Sequence, residues 1–199
     1  LEVFRKIGTE ELRLRLSINS WEDSHLKATL SGHKKTWFEH PVHSVYIPVK
    51  EMLANAPGFK SLYETRNIHF EEVYADIITK ALLPPLRGPS DTARRKITGI
   101  LQKAIDGKIT VQKEEFFLRN KQGNLEFTLL AEGFRKLGLL WSLVQNGTLL
   151  SGSVLFWDEP EANLNPKLII TLIEVLIELQ RMGVQVFLAT HNDLILKWI

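Results

Sequence analysis

The stretch Val154–Pro166, VLFWDEPEANLNP, decides the fold. Four apolar residues lead into Asp158-Glu159 and a turn, and Pro166 opens a long apolar-periodic segment, LIITLIEVLIEL. A short apolar run, a helix of about 16 residues and a second apolar run, Val184–Ala189, read as strand, helix, strand. That order is a βαβ unit, so the two strands are parallel and the fold class is α/β. Both strands then end at one sheet edge, the first in Asp158-Glu159 and the second in Thr190-His191. In open α/β sheets ligands bind beyond the carboxyl ends of strands. Adjacent residues at a strand end point in different directions, so one acid can hold a cation while the next orients a water.

Working outward, the helix before this unit runs from about Glu132 to Asn146, with Phe134, Leu137, Leu140, Trp141 and Val144 on its inner side, and Gly147 ends it. Before it, EEFFLRN, the turn KQGN and LEFTLL form a hairpin. From Glu51 to Gly107 the apolar period is helical. One segment stops at Pro84-Pro85, and TARRKITGILQKAIDG stops at Gly107, read as its C-cap. From Leu1 to Pro48 the apolar residues alternate, as in LRLRLSI, which predicts strands. The expected division is therefore a β-rich part at 1–50, a helical insert at 51–110 and a segment at 111–199 that carries the chemistry.

Composition sets bounds. The 199 residues are 44% hydrophobic and 24% charged, enough to bury a core. A net charge of +2 is too balanced to argue for nucleic acid. The absence of cysteine excludes disulfides and thiolate metal sites. With no signal peptide and no apolar run of membrane length, the expectation is a cytoplasmic protein without a membrane span.

VLFWDEPEANLNP resembles the Walker B and D-loop of an ABC-type ATPase, VFLATH resembles its switch-histidine strand, and AEGFRKLGLL stands where that family places its signature helix. The resemblance is closest to the non-transporter branch of SMC-like, recombination-repair and overcoming-lysogenization-defect ATPases. It implies an ABC-ATPase-like P-loop NTPase fold: a parallel core sheet, an antiparallel β region and a helical lid. By resemblance, Asp158 binds Mg²⁺ and Glu159 is the general base that polarises the attacking water. His191 contacts the γ-phosphate of ATP. Glu132 and Gly133 open the helix facing nucleotide on the other protomer, and Asn163 and Asn165 belong to the D-loop. Such sites are composite and imply a homodimer around ATP. The branch implies roles in DNA maintenance or phage defence, with an effector such as a nuclease, or DNA, as partner.

Two residues depart from the pattern. Glu132 replaces a small signature residue and needs a basic neighbour, Arg135 or Lys136, unless it only caps the helix. Asn165 stands where Asp is common.

The phosphate cradle G-x-x-x-x-G-K-S/T is missing. The single Gly-Lys pair, Gly107-Lys108, is followed by Ile109 and preceded by Gln102 at the first-glycine position. SGHKKT (Ser31–Thr36) lacks both the pair and the spacing. The expectation is a truncated ATPase whose cradle lies upstream of Leu1 and which is inactive as it stands. The alternatives are a partner-binding scaffold or a transporter nucleotide-binding subunit. The weaker motifs read blandly: EHPVH (Glu39–His43) as strand-edge residues rather than zinc ligands, TARRK as a solvated basic face, and Asn146-Gly147-Thr148 as a helix stop.

Overall fold

The computed structural model describes residues 2–7, 10–22 and 25–31 as backbone, and 42–66 and 68–198 in full. The chain forms two compact units, Leu1–Val42 and His43–Ile199. In the first, β1 (Glu2–Ile7), β2 (Glu10–Glu22) and β3 (His25–Ser31) make an antiparallel sheet in the order β1-β2-β3. Its register pairs Val3 with Leu14 and Leu16 with Leu30, so the period-two run LRLRLSI lies in a strand. Most of SGHKKT and EHPVH lies outside the described residues.

The second unit is built on a parallel sheet of β4 (Ser44–Ile47), β8 (Val154–Asp158) and β9 (Gln185–Ala189), ordered β4-β8-β9. Before β8 come helices α1 (Phe59–Arg66), α2 (Glu72–Ala81), α3 (Thr92–Ala104) and α4 (Glu132–Gln145). An antiparallel meander, β5 (Lys108–Gln112), β6 (Glu115–Asn120) and β7 (Gly123–Glu126), lies between α3 and α4. Helix α5 (Pro166–Arg181) crosses from β8 to β9, and α6 (Asp193–Trp198) follows. The α/β class and the βαβ unit are as expected.

The crossover forms for local reasons. The Asn165 side chain accepts from the Leu168 N–H at 3.0 Å, and Pro166, which has no N–H to satisfy, takes the first helical position. Along α5, Leu168, Ile169, Leu172, Ile173, Val175, Leu176 and Leu179 are buried, the i, i+3, i+4 face the sequence predicts. Each contributes about 2 kcal/mol of transfer free energy. The two acids that break the greasy run behave differently. Glu174 is exposed, whereas Glu178 is buried and accepts Lys96 of α3 at 2.9 Å and Arg181 at 2.6 Å. Among the described residues no helix is long and apolar enough to cross a membrane.

Helix α4 is the centre of the unit. Leu137, Leu140, Leu143 and Val144 are fully buried, and burial runs without a break from Lys136 to Val144. A helix apolar on nearly every side belongs in the interior. The sheet turns Val45, Ile47, Leu155 and Trp157 into this core and leaves Tyr46 and Phe156 partly exposed on its other face. There Phe156 stacks on Phe187 with ring centroids 5.0 Å apart.

Three local expectations need correction. The hairpin is a three-stranded meander, because Lys108–Gln112 pairs with β6 as an additional strand. Its last strand stops at Glu126, since Phe127 leaves the ladder in a 3₁₀ turn to bury its ring, 5.6 Å from that of Phe116. Gly107 is not the left-handed residue that ends α3. Asp106 takes that conformation at φ 51°, and the Gly107 N–H donates to the Gln102 carbonyl at 3.1 Å. Gly107 is small because a Cβ would lie 2.6 Å from the Arg119 carbonyl oxygen.

Gly107→Ala therefore lowers stability by about 1–3 kcal/mol. Gly99→Ala, in open space within α3, raises it by about 0.5–1 kcal/mol. Denaturant melts of both variants check the opposite signs.

The hydrogen bond from Lys96, with that from Arg181, holds the Glu178 carboxyl below its ordinary value of 4.5. A depressed acid contributes stability above its unfolded pKa and loses it as pH falls through the folded value. The stability gap between wild type and Glu178→Gln should therefore shrink below pH 4.5, measured by urea melts across the acid range.

Candidate nucleotide-hydrolysis site

Parallel pairing places Asp158 of β8 directly beside Ala189 of β9, and the ladder continues one step further as the Glu159 N–H donates to the Ala189 carbonyl at 2.8 Å. Beyond that bond the loop turns sharply. Glu159 has φ 41° and Asn163 φ 61°, left-handed conformations that cost non-glycine residues roughly 1–2 kcal/mol each. The turn presents the Glu159 carboxylate, 41% exposed, towards the exposed His191, whose Nδ1 lies 3.8 Å from Glu159 Oε1. Strand end, acid and imidazole thus meet at one edge of one sheet.

Asp158 lies on the same face of β8 as Phe156, and Tyr46 of β4 stands opposite Phe156. The Tyr46 phenol and the Asp158 carboxylate therefore lie on the same face of the sheet. Burial, and then the negative charge of Asp158, push the Tyr46 phenol above its ordinary value of 10.0. Asp158 is half-buried at the mouth of the site. Among the described residues no group of three His, Asp or Glu side chains forms a metal cage. A single open carboxylate is compatible with Mg²⁺, which commonly takes one or two protein carboxylates and keeps several waters.

The N-terminus of α4 packs onto the same loop. A Cβ at Gly133 would lie 2.9 Å from Leu164 Cδ2 and 3.0 Å from the Asn163 carbonyl oxygen, so a larger residue would have to push the loop back. Glu132 is fastened to the loop, its Oε2 accepting from Asn163 Nδ2 at 2.9 Å. The helix N-cap is Ala131, which offers no side-chain cap.

Of the two bases the sequence offers to Glu132, Arg135 is engaged elsewhere. Its Nε lies 2.7 Å from Glu51 Oε2, an ionic contact without hydrogen-bond alignment, and its Nη1 donates to the Phe127 and Leu130 carbonyls. Burial raises the Glu51 pKa against the lowering effects of its hydrogen bond from the Leu53 N–H and of Arg135. Lys136 is the base that faces the acids. It is almost wholly buried, and its Nζ donates to the Ala162 carbonyl at 2.8 Å and, more weakly, to that of Glu159 at 3.5 Å. Burial lowers its pKa, and Glu132, Glu161, Glu159 and Glu51 oppose the shift.

The structure therefore brings together Asp158, Glu159 and His191, and separately Glu132, Gly133 and Asn163. The Asn165 side chain is committed to the α5 cap. Sequence reasoning missed Tyr46 and Glu161, and offered Lys136 only as a base for Glu132. Glu161 is inside the quoted stretch, and its signal was a third acid two residues past Glu159 in a turn with little room to expose it. Removing the Asp158 charge should bring the Tyr46 phenol down. Absorbance titration of Asp158→Asn should give a tyrosinate transition below that of wild type, and an unchanged transition would show that the carboxylate does not act on Tyr46.

Comparison with known proteins follows from this geometry. The dimeric structure of MJ0796, a bacterial ABC transporter cassette, is 11% identical over 99% of this chain and 88% of its own, with a TM-score of 0.37. Its dimeric post-hydrolysis state bound to ADP and Pi gives 12% identity over the same shares, with a TM-score of 0.37. The ADP conformation of MJ1267, an ATP-binding cassette of an ABC transporter, is 17% identical over 83% of this chain, with a TM-score of 0.39. The chain spans 56% of the length of that cassette. No curated protein matches the sequence. Residues 3–197, nearly the whole chain, match the family described as "AAA domain, putative AbiEii toxin, Type IV TA system", and the chain belongs to that AAA-domain family.

Proposed function

We propose that these residues form the hydrolytic half of an ATPase site that works between two copies of the chain. The observation that supports this best is the convergence of Asp158, Glu159 and His191 at the carboxyl edge of β8 and β9. Membership of an AAA-domain family makes nucleotide the natural ligand. In the proposed mechanism the Glu159 carboxylate accepts a hydrogen bond from a water and takes its proton as the water attacks the γ-phosphorus, while the bond from that phosphorus to the β,γ-bridging oxygen breaks and ADP leaves. His191 donates to a γ-phosphate oxygen as charge builds there. Asp158 would hold Mg²⁺, largely through water, and when bound the cation supplies neutralising charge to the phosphate oxygens.

The N-terminal N–H groups of α4, around Glu132 and Gly133, would face the γ-phosphate held by the other protomer, where a helix N-terminus favours an anion. Asn163 and Asn165 would lie along that interface. The hydrogen bond from Asn163 supports this part, because it gives the Glu132 carboxylate a donor of its own beside the helix start.

These 199 residues contain no G-x-x-x-x-G-K-S/T loop, so the proposal assigns the phosphate cradle to residues outside them. The same observation favours the second reading, a scaffold that binds a partner without turnover. A role in DNA maintenance or phage defence, beside a nuclease or on DNA, rests on the ABC-type resemblance alone. A transporter subunit fits less well, because Glu132 stands at a signature position where transporter-like chains carry a small residue.

Glu159→Gln, made in a polypeptide that contains both these residues and a cradle, tests the reading. The ATPase rate should fall about 10²- to 10⁴-fold, the usual worth of a general base. An ATP-bound dimer should accumulate, measured by light scattering behind size exclusion. Wild-type turnover in that variant would remove Glu159 as the base. Calorimetry of the 199-residue chain with ATP should show no micromolar affinity, and finding it would place a cradle within these residues.

A further inference from the structure

The mechanism above leaves two buried charged groups of the site unused. Glu161 is only 7% exposed, yet it sits in the loop between Glu159 and Asn163. Its Oε1 accepts from the Thr190 hydroxyl at 2.7 Å and from the His191 main-chain N–H at 3.3 Å, and lies 3.7 Å from His191 Nδ1. Its Oε2 is buried with no hydrogen-bond partner among the described residues. From the other side, Lys136 donates from α4 to the Ala162 and Glu159 carbonyls.

A buried carboxylate and a buried ammonium each carry a desolvation cost of several kcal/mol, and apolar residues of similar size often do as well for stability. Packing alone gives no reason for either group. Their connections do: Lys136 joins α4 to the backbone of the general base, and Glu161 joins the same loop to the strand end that carries the histidine.

We infer that Lys136 and Glu161 are positioning residues for hydrolysis, which lock the loop bearing Glu159 to α4 on one side and to Thr190-His191 on the other. The inference rests on the proposed roles of Glu159 and His191. The base and the phosphate-contacting imidazole then keep one mutual geometry, and a shift of α4 reaches both. The left-handed Glu159 backbone, which is unfavourable by itself, is held by the Lys136 ammonium on its carbonyl and by Ala189 on its N–H.

The test uses a cradle-containing polypeptide. Glu161→Ala should lower kcat about 10- to 100-fold with KM for ATP within about threefold, the scale of a small misplacement of reacting groups. Glu161→Gln, which retains a side-chain carbonyl oxygen for Thr190 and His191, should recover most of that loss. The decisive comparison is made in a His191→Ala background, where Glu161→Ala should cost less than about threefold more, because groups that act through one another are not additive. The full effect persisting without the imidazole overturns the positioning role of Glu161. Lys136→Met should likewise lower kcat and lose most of its effect in Glu159→Gln, and an unreduced effect there overturns the role of Lys136.

Amide exchange separates this inference from the functional reading. The His191 N–H should exchange about tenfold faster or more in Glu161→Ala, and an unchanged rate overturns the anchor whatever the turnover. If wild type shows no turnover, the functional reading fails and the hydrolytic role fails with it, while exchange still decides the anchor. Should Glu161→Ala not fold, Thr190→Val removes one of the two donors, and the same exchange measurement applies.

Discussion

The parallel pairing of β8 with β9 is the constraint on which the site depends. Parallel strands need a crossover of a dozen or more residues, and α5 provides it with a cap and a proline at its start and a buried apolar face along its length. Once the register sets Asp158 against Ala189, the loop after one strand and the loop after the other must emerge side by side. The proximity of Glu159 and His191 is then a consequence of sheet geometry. The left-handed turn at Glu159 follows too, because the chain leaves the ladder at its last hydrogen bond and must clear β9 to reach α5.

A second layer is electrostatic. Five carboxylates, those of Glu51, Glu132, Asp158, Glu159 and Glu161, lie in or beside the α4–loop region. The bases that answer them are Arg135 at Glu51 and the buried Lys136. Like charges at this spacing are tolerated because four of the five acids have a polar neighbour of their own. Arg135 lies against Glu51, Asn163 donates to Glu132, Thr190 and the His191 N–H donate to Glu161, and the Tyr46 phenol lies near Asp158. Among the described residues no donor hydrogen-bonds the Glu159 side chain, which is half open to solvent. A carboxylate left free among satisfied ones is the one available to accept a proton from water, which is the chemical ground for assigning it that role.

Legibility in the sequence divided along the same line. The βαβ unit was readable because its signals are local: the apolar run before Asp158, Asn165-Pro166 as a helix start, and an i, i+3, i+4 face to Leu179. Asp158, Glu159 and His191 were readable because a strand end is itself a position in space. Tyr46 was not, since its meeting with Asp158 depends on the register between β4 and β8, strands separated by more than half of the chain. Lys136 was weighed only as a possible partner for Glu132 within the apparently surface-like FRK, and its burial emerges from packing on the loop of α5. Strand β5 was absorbed into the preceding helical segment because Asp106-Gly107 looked like a simple helix end, whereas Gly107 is also required where β6 approaches.

Helix α4 shows why these readings belong to one design. Glycine in a helix interior costs about 1 kcal/mol relative to alanine, and α4 contains two. Gly133 lets the helix start touch the Asn163 carbonyl and the Leu164 side chain, and a Cβ at Gly138 would lie 2.8 Å from Phe127 Cζ. The helix is therefore pressed against the Glu159–Asn165 loop at one point and against the antiparallel meander at another, with Lys136 between them. Closely packed interiors do not deform continuously. The meander, α4 and the Glu159 backbone are thus joined by close approaches at Gly138 and Gly133 and by the Lys136 hydrogen bonds, at two glycines that a freestanding helix would replace with alanine.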